Sequence, residues 1–189
     1  MNMSADHGYN RVGKQRGMGL LETVMVGILI SVLIVVFLSR ILSLSVAVER
    51  ESMQQTVINL NSMLNIEALT LIVRNDEKAI AAWEGANPMR LLDPKPIQYT
   101  GSFSEPDAMQ QKPGSWYFDE SRSELIYRIN NVEQFGGGRA IPERVRFRVM
   151  PWFDDRNHNG VKDNEERYLG LKLESLDEYW WLPEKVNEG

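Results

Sequence analysis

The stretch that decides the reading is Arg16-Gly17-Met18-Gly19-Leu20-Leu21-Glu22, followed by Thr23-Val24-Met25-Val26-Gly27-Ile28-Leu29-Ile30-Ser31-Val32-Leu33-Ile34-Val35-Val36-Phe37-Leu38. From Val24 to Leu38 there is neither charge nor proline, and between Met18 and Ser39 only Glu22 ionises. A helix rises about 1.5 Å per residue, so this run reaches across a hydrocarbon layer of roughly 30 Å. Glu22 is the unexpected residue. A carboxylate in the first turns of a membrane segment is costly and implies a partner and a function. The preceding segment, Met1–Gly17, is polar and carries Arg11, Lys14 and Arg16 against Asp6. A secretory signal would place a short apolar core before a small-residue cleavage site. Here the basic segment and a glycine come first and the long apolar run follows. A plain single-pass anchor with Glu22 at the interface is the simpler alternative.

Outward from this run, no Gly or Pro interrupts Ile28 to Glu84. After Arg40, placed to snorkel from the end of the span, the pattern turns amphipathic. Met53, Val57, Leu60, Leu64, Ala68 and Leu71 recur every three or four residues. This predicts one helix from about Leu20 to Arg74, with its second half packed on a globular head. Core packing explains the stripe; a coiled coil with another subunit is the alternative. Asn75-Asp76 ends the helix, and Glu77–Glu84 has the composition for a further turn. Residues 85–114 are punctuated by Gly and Pro and read as loop, with a short strand at Ile97–Thr100. Such a loop is where partner-specific contacts are expected.

From Ser115 onward the signals are those of strands. Trp116-Tyr117-Phe118 and Glu124–Ile129 flank a turn-rich connector and predict a hairpin. Phe135–Gly138 reads as a flexible turn. Arg144-Val145-Arg146-Phe147-Arg148-Val149 alternates with period two, one apolar face and one arginine face. The arginine face reads as solvated and paired with acidic neighbours. A basic stripe for DNA or anionic lipid is the alternative, and three arginines in an acidic chain make no nucleic-acid footprint. In the tail, Trp180 and Trp181 point to opposite faces of a strand, so one is exposed unless both are buried against the helix. An exposed one makes the tail a contact for another subunit.

Asp155-Arg156-Asn157-His158-Asn159-Gly160-Val161-Lys162-Asp163-Asn164-Glu165-Glu166 fits the calcium-loop pattern D-x-[DN]-x-[DN]-G-x₅-E at every specified position. Calcium takes six to eight oxygens at about 2.3–2.6 Å. Asp155, Asn157 and Asn159 offer side-chain oxygens, Val161 its carbonyl, Asp163 a direct or water-mediated contact, and Glu166 two oxygens. Gly160 permits the sharp turn. The alternative is a bare Asx-rich turn. The flanks are strands, so no helix-opening switch is expected, and His158 has no assigned role.

With 189 residues, the chain suits one head domain plus an anchor. Loss of residues 1–17 takes the formal charge from −5 to −7, which argues against general polyanion binding. There is no cysteine, hence no disulfide. The two histidines and the absence of a G-x-S-x-G serine leave no convergent catalytic set, and no enzymatic activity is expected.

The N-terminal order resembles the type IV prepilin signal, shared by type IV pilins, minor pilins and type II secretion pseudopilins. The resemblance covers roughly the first 30 residues: a basic leader, Gly17 as its last residue, Met18 as the mature N-terminus, Leu20-Leu21, and Glu22 as the mature fifth residue. Gly19 stands where Thr or Ser is usual, and the helix lacks a central proline. The Pro113-Gly114-x-Trp116…Leu125-x-Tyr127 spacing is similar to hairpins in the same proteins. The resemblance implies cleavage after Gly17 by a prepilin peptidase, methylation of the Met18 amine, and pairing of Glu22 with the Met18 amine of a neighbouring subunit. It implies a pilin-like α+β fold: a long N-terminal helix, half transmembrane and half amphipathic, packed on a C-terminal antiparallel sheet. The expected segments are a leader over 1–17, a transmembrane or filament-core helix over 18–40, its amphipathic continuation over 41–75, a variable loop region over 76–114 and a sheet region over 115–189. The implied function is that of a minor pilin or pseudopilin in the bacterial inner membrane, head in the periplasm. Its partners would be other pilin subunits, the peptidase, the inner-membrane assembly platform and lipid, with no nucleic acid. An anchored, adhesin-like binding module outside any filament is the alternative.

Overall fold

The computed structural model describes residues 19–137 and 143–182, and only the backbone of residues 39–43. Gly17 and Met18, the expected processing site, lie outside the described residues, as does the side chain of Arg40. One helix, α1, runs from Leu20 to Val73, close to the predicted Leu20–Arg74. The chain divides into two compact units, Met1–Leu42 and Ser43–Gly189.

In the first unit, Leu20–Leu38 has a mean hydropathy of 2.7 and none of it is buried. By length and composition this segment is able to cross a membrane. Thr23 and Ser31 return their hydroxyls to the Gly19 and Gly27 carbonyls, at 3.4 and 2.8 Å, which satisfies these polar side chains inside the helix.

The second unit is α+β. In its part of α1, Met53, Leu60, Leu64, Ala68 and Leu71 are buried, with Val57 packed beside them. Core packing, not a coiled coil, therefore accounts for the stripe. The helix stops where Asn75 takes a positive φ of 54° and Asp76 donates its N–H to the Leu71 carbonyl, a left-handed C-terminal turn. Asp76 then caps the short helix α2, Glu77–Ala81, by accepting from Ala79 N at 3.0 Å.

Seven strands follow: β1 Tyr99–Phe103, β2 Ser115–Asp119, β3 Glu124–Arg128, β4 Phe135–Gly137, β5 Arg144–Phe153, β6 Tyr168–Ser175 and β7 Tyr179–Trp181. Five form one sheet in the order β1-β2-β3-β5-β6. The predicted hairpin is β2–β3, with Trp116 opposite Tyr127. The sheet is antiparallel except at one edge, where β1 runs parallel to β2. Strand signals alone do not fix direction, and the long 104–114 connection allows the chain to return on the same side. The sheet thus begins at the short strand expected over Ile97–Thr100, which starts two residues later and runs from Tyr99 to Phe103.

Two further expectations are corrected. Phe135–Gly137 is a strand, paired antiparallel with β7 in a separate two-stranded sheet. Its glycines serve close approach rather than flexibility. A Cβ on Gly137, at φ 82°, would lie 2.2 Å from the Glu178 carbonyl oxygen, and one on Gly136 would lie 2.3 Å from Trp180 Nε1. The two tail tryptophans are not both buried: Trp180 is 55% exposed, while Trp181 packs edge-on against Phe135 at 5.2 Å.

One sheet face supplies the core. Trp116, Phe118, Leu125, Tyr127, Val145, Phe147, Val149, Leu171 and Leu173 join the buried stripe of α1. On β5 the alternation is strict over Arg144–Val149, as predicted. Edge strand β6 is tied to the helix by one side chain: Leu173 N donates to Asn61 Oδ1 at 2.9 Å.

Candidate functional site

At the N-terminus of α1, Gly19 N donates to Glu22 Oε2 at 3.1 Å. Glu22 occupies the third position of the helix, from which a carboxylate reaches back to the cap residue, as in a capping box. It also lies where the helix dipole favours negative charge. The spacing of three between Gly19 and Glu22 carried this signal in the sequence.

The 155–166 loop connects β5 to β6 and is organised by its own carboxylates and amides. Asp155 accepts from Asn159 N at 3.1 Å and Gly160 N at 2.9 Å. Asn157 Oδ1 accepts from Asn159 N, and Asn159 Oδ1 from Val161 N. Glu166, 4% exposed, accepts from Arg156 N at 2.9 Å and Asp163 N at 3.0 Å, which draws the second, ninth and last motif positions together. His158 and Gly160 adopt positive φ, 58° and 73°. Asp163 Oδ2 accepts from both Asn157 Nδ2 and Asn159 Nδ2, at 2.6 and 3.1 Å. All six expected ligand residues therefore sit in one loop. Asn157 and Asn159 turn their nitrogens, not their oxygens, toward Asp163. Among the described residues, no group of three or more His, Cys, Asp or Glu side chains is placed to hold a metal ion.

The face of the sheet away from α1 carries the arginines. Arg146 donates from Nε to Asp177 Oδ2 at 3.0 Å and from Nη2 to Asp177 Oδ1 at 2.8 Å, while its backbone N–H reaches the same carboxylate. This two-point hydrogen bond raises the Arg146 pKa, and the charges of Asp177 and Glu124 reinforce it against desolvation. Arg148 pairs with Glu124 Oε1 at 3.2 Å. Acidic neighbours thus meet two of the three arginines, as the composition led us to expect.

One residue that the sequence reading passed over ties the helix to the head. Glu49, 8% exposed, accepts from Tyr127 Oη at 3.2 Å, Asn130 N at 2.7 Å, Asn131 N at 2.9 Å and Asn131 Nδ2. Burial, then the Glu49 charge and hydrogen bond, push the Tyr127 phenol well above its usual value. The signal was present: Glu49 precedes Met53 by four and Leu60 by eleven residues, on the core-facing side of the helix. A polar residue there demands buried partners.

On the opposite side of α1 lies a second apolar stripe. Leu44, Val48, Ile58, Ile66, Leu69 and Val73 are 57–85% exposed. At about 100° per residue they fall within roughly 40° of a single line, diametrically opposite the buried stripe. Comparison with family models, with curated proteins and with solved structures finds no match to this chain.

Proposed function

We propose that this chain is a minor pilin or pseudopilin, a non-enzymatic structural subunit that is anchored in the bacterial inner membrane with its head in the periplasm and is assembled into a filament. The observation that carries the reading is the outer stripe of α1. A soluble domain has no use for six exposed aliphatic residues aligned on its spine. A subunit whose helix packs among other helices does. The basic leader, Gly17, Met18 and Glu22 supply the processing signal, and the apolar run supplies the anchor. The Glu22 carboxylate, which caps its own helix, serves in this reading as acceptor for the Met18 amine of a neighbouring subunit. Other pilins, the prepilin peptidase, the assembly platform and lipid are the partners. The test is mass spectrometry of the protein extracted from envelopes of cells with an active prepilin peptidase. A chain beginning at N-methyl-Met18 is expected. An intact leader overturns the proposal and leaves the anchored binding module.

The 155–166 loop supports a second element of this reading, a structural calcium ion. The donors are hard oxygens of the right type and order, and buried Glu166 already links Arg156 to Asp163. Asp155, Asn157, Asn159, Val161 through its carbonyl, Asp163 and Glu166 would hold the ion. The two amides would need to turn by about 180° to offer oxygen. The ion would supply charge neutralisation and cross-linking of the loop, with no catalytic part.

A further inference from the structure

We propose that Trp180 and Glu178 form a seat for an arginine side chain carried by a basic segment of a partner protein. The inference is independent of the filament reading and rests on the outer face of the β4–β7 sheet. Burial alternates without a break along this stretch: Asp177 is buried, Tyr179 and Trp181 are half-buried, and Glu178, Trp180 and Leu182 are exposed. Tyr179 and Trp181 pack on Phe135, so their face belongs to the core. Glu178, Trp180 and Leu182 therefore share the opposite, solvent face. Across the sheet from Trp180 stands Gly136. A Cβ on Gly136 would lie 2.3, 2.5 and 2.9 Å from Nε1, Cε2 and Cζ2 of the indole. Three ring atoms so near one point mean that the indole lies flat across the glycine. One ring face is backed by the strand and the other is open, in keeping with the 55% exposure of Trp180.

An indole with an open face attracts a cation through its ring quadrupole, and a guanidinium also stacks on it. The same head contains the pairing: the Arg90 guanidinium lies 3.8 Å from the centre of the Trp83 ring. What singles out Trp180 is the charge around it. Glu178 is exposed on the same face, and its carboxylate has neither a hydrogen bond nor an ion pair among the described residues. Glu133, exposed and equally unpaired among them, precedes β4 at the end of the small sheet where Leu182 N reaches the Gln134 carbonyl. Neither 131–137 nor 176–182 contains a basic residue. Trp152, 43% exposed over Gly170, is the contrasting case. Two residues beyond Gly170 on β6 stands Lys172, which pairs with Glu174 at 2.9 Å, so that face already holds a cation with its counter-ion. The charge that answers the Trp180 surface is positive. Arginine fits it twice, because its plane stacks on the indole while its edge donates to the Glu178 carboxylate. Trp and Arg are also the residue types that anchor protein interfaces. A saccharide ring stacks on indole as well, but it brings no charge to meet Glu178 and Glu133, which favours a basic protein segment.

The experiment uses the full chain in detergent and three fluorescent probes: an alternating arginine–alanine hexapeptide, its lysine–alanine counterpart, and a tetramer of N-acetylglucosamine. Wild type should bind the arginine peptide in preference to the other two. Trp180→Leu should weaken that binding about fivefold or more, the loss expected for one cation–π contact. Glu178→Gln should weaken it about threefold. Trp152→Leu, which removes an indole of similar exposure, should stay within about twofold of wild type. So should Glu105→Gln, which removes the same charge from an exposed loop position. Thermal unfolding checks the fold of each variant, and Glu178→Gln carries the test if Trp180→Leu misfolds. Unchanged binding in Trp180→Leu and Glu178→Gln overturns the proposal, as does no binding of the arginine peptide by wild type. An equal loss in Glu105→Gln also overturns it, because the attraction would then be diffuse. Equal binding of the lysine peptide overturns the assignment to arginine, and preference for the sugar overturns the assignment to a protein partner.

Discussion

Removing the Glu49 carboxylate should loosen the head from its helix. In Glu49→Ala, four donors lose their acceptor: Tyr127 Oη, Asn130 N, Asn131 N and Asn131 Nδ2. Hydrogen bonds to a charged group contribute roughly 1.5–3 kcal/mol each, and a buried donor left unpaired costs about 1–3 kcal/mol. Only the Tyr127 contact is fully buried; the others are partly buried, so water replaces much of what they lose. The net loss is about 3–4 kcal/mol. For a domain of this size each kcal/mol moves the midpoint by about 2–4 °C, so Tm should fall by roughly 6–16 °C. Glu49→Gln keeps one oxygen but sets an NH₂ against the remaining donors, and should cost about half as much. The assay is thermal unfolding of the full chain in detergent, followed by near-ultraviolet circular dichroism of the buried Trp116. A double-mutant cycle with Tyr127→Phe should give a coupling of at least about 0.5 kcal/mol. A Glu49→Ala variant within about 0.5 kcal/mol of wild type would refute the reasoning, because the four donors would then have found equal partners elsewhere.

Alkaline pH should destabilise the head. Burial raises the pKa of Tyr117, Tyr127 and Tyr179 in the folded state. Unfolded tyrosine ionises near 10, so this stability is fully present below about pH 10 and is lost as pH rises beyond it. Tyr127→Phe should reduce the slope by up to about 1.4 kcal/mol per pH unit, read from denaturant midpoints at pH 9 to 11 as rough bounds; an unchanged slope contradicts it. Excess calcium, at about 100-fold over Kd, should stabilise the chain by about 2.7 kcal/mol relative to chelator, and magnesium much less. Asp155→Ala/Glu166→Ala should abolish the difference, and equal melts of wild type in calcium and chelator would leave only an Asx-rich turn. Gly137→Ala should break the β4–β7 pair. Positive φ alone costs about 1–2 kcal/mol, and the new Cβ meets the backbone at Glu178; native-like exchange protection of the β7 amides would count against this. Glu22→Ala should leave the head folded but impair incorporation into filaments, scored by immunogold labelling, and normal labelling would contradict the role given to Glu22.

The helix was legible in the sequence because its two periodicities are long and uninterrupted. Both the all-round apolar run and the Met53–Leu71 stripe follow from local spacing. Strands β2, β3, β5 and β6 were legible from alternation and aromatic content. What the sequence concealed depends on distant partners. Nothing in Tyr99–Phe103 states that it pairs parallel to β2, and the Gly136-Gly137 pair reads as slack until Trp180 and Glu178 are brought against it. The carboxylate partner of Arg146 is Asp177, 31 residues away, so alternation revealed the arginine face but not its pairing. The 155–166 loop was legible as a motif because its hydrogen bonds are local. Glu49 was passed over because charge at the end of an apolar run suggests solvent, whereas its helical phase with Met53 assigns it to the core.

The bond between Asn61 and Leu173 has a bearing on how copies of this chain meet. An exposed outer strand is a template on which a second molecule can add its own strand, the route to ribbons and fibrils. Here a helix amide accepts the Leu173 N–H that an incoming strand would need. The strand is closed at that point by the molecule's own spine, at the cost of one side chain. Growth by strand addition is obstructed there, while the outer face of the helix stays exposed from Leu44 to Val73. In the proposed filament, copies would therefore meet by side-by-side packing of helices rather than by extension of the sheet.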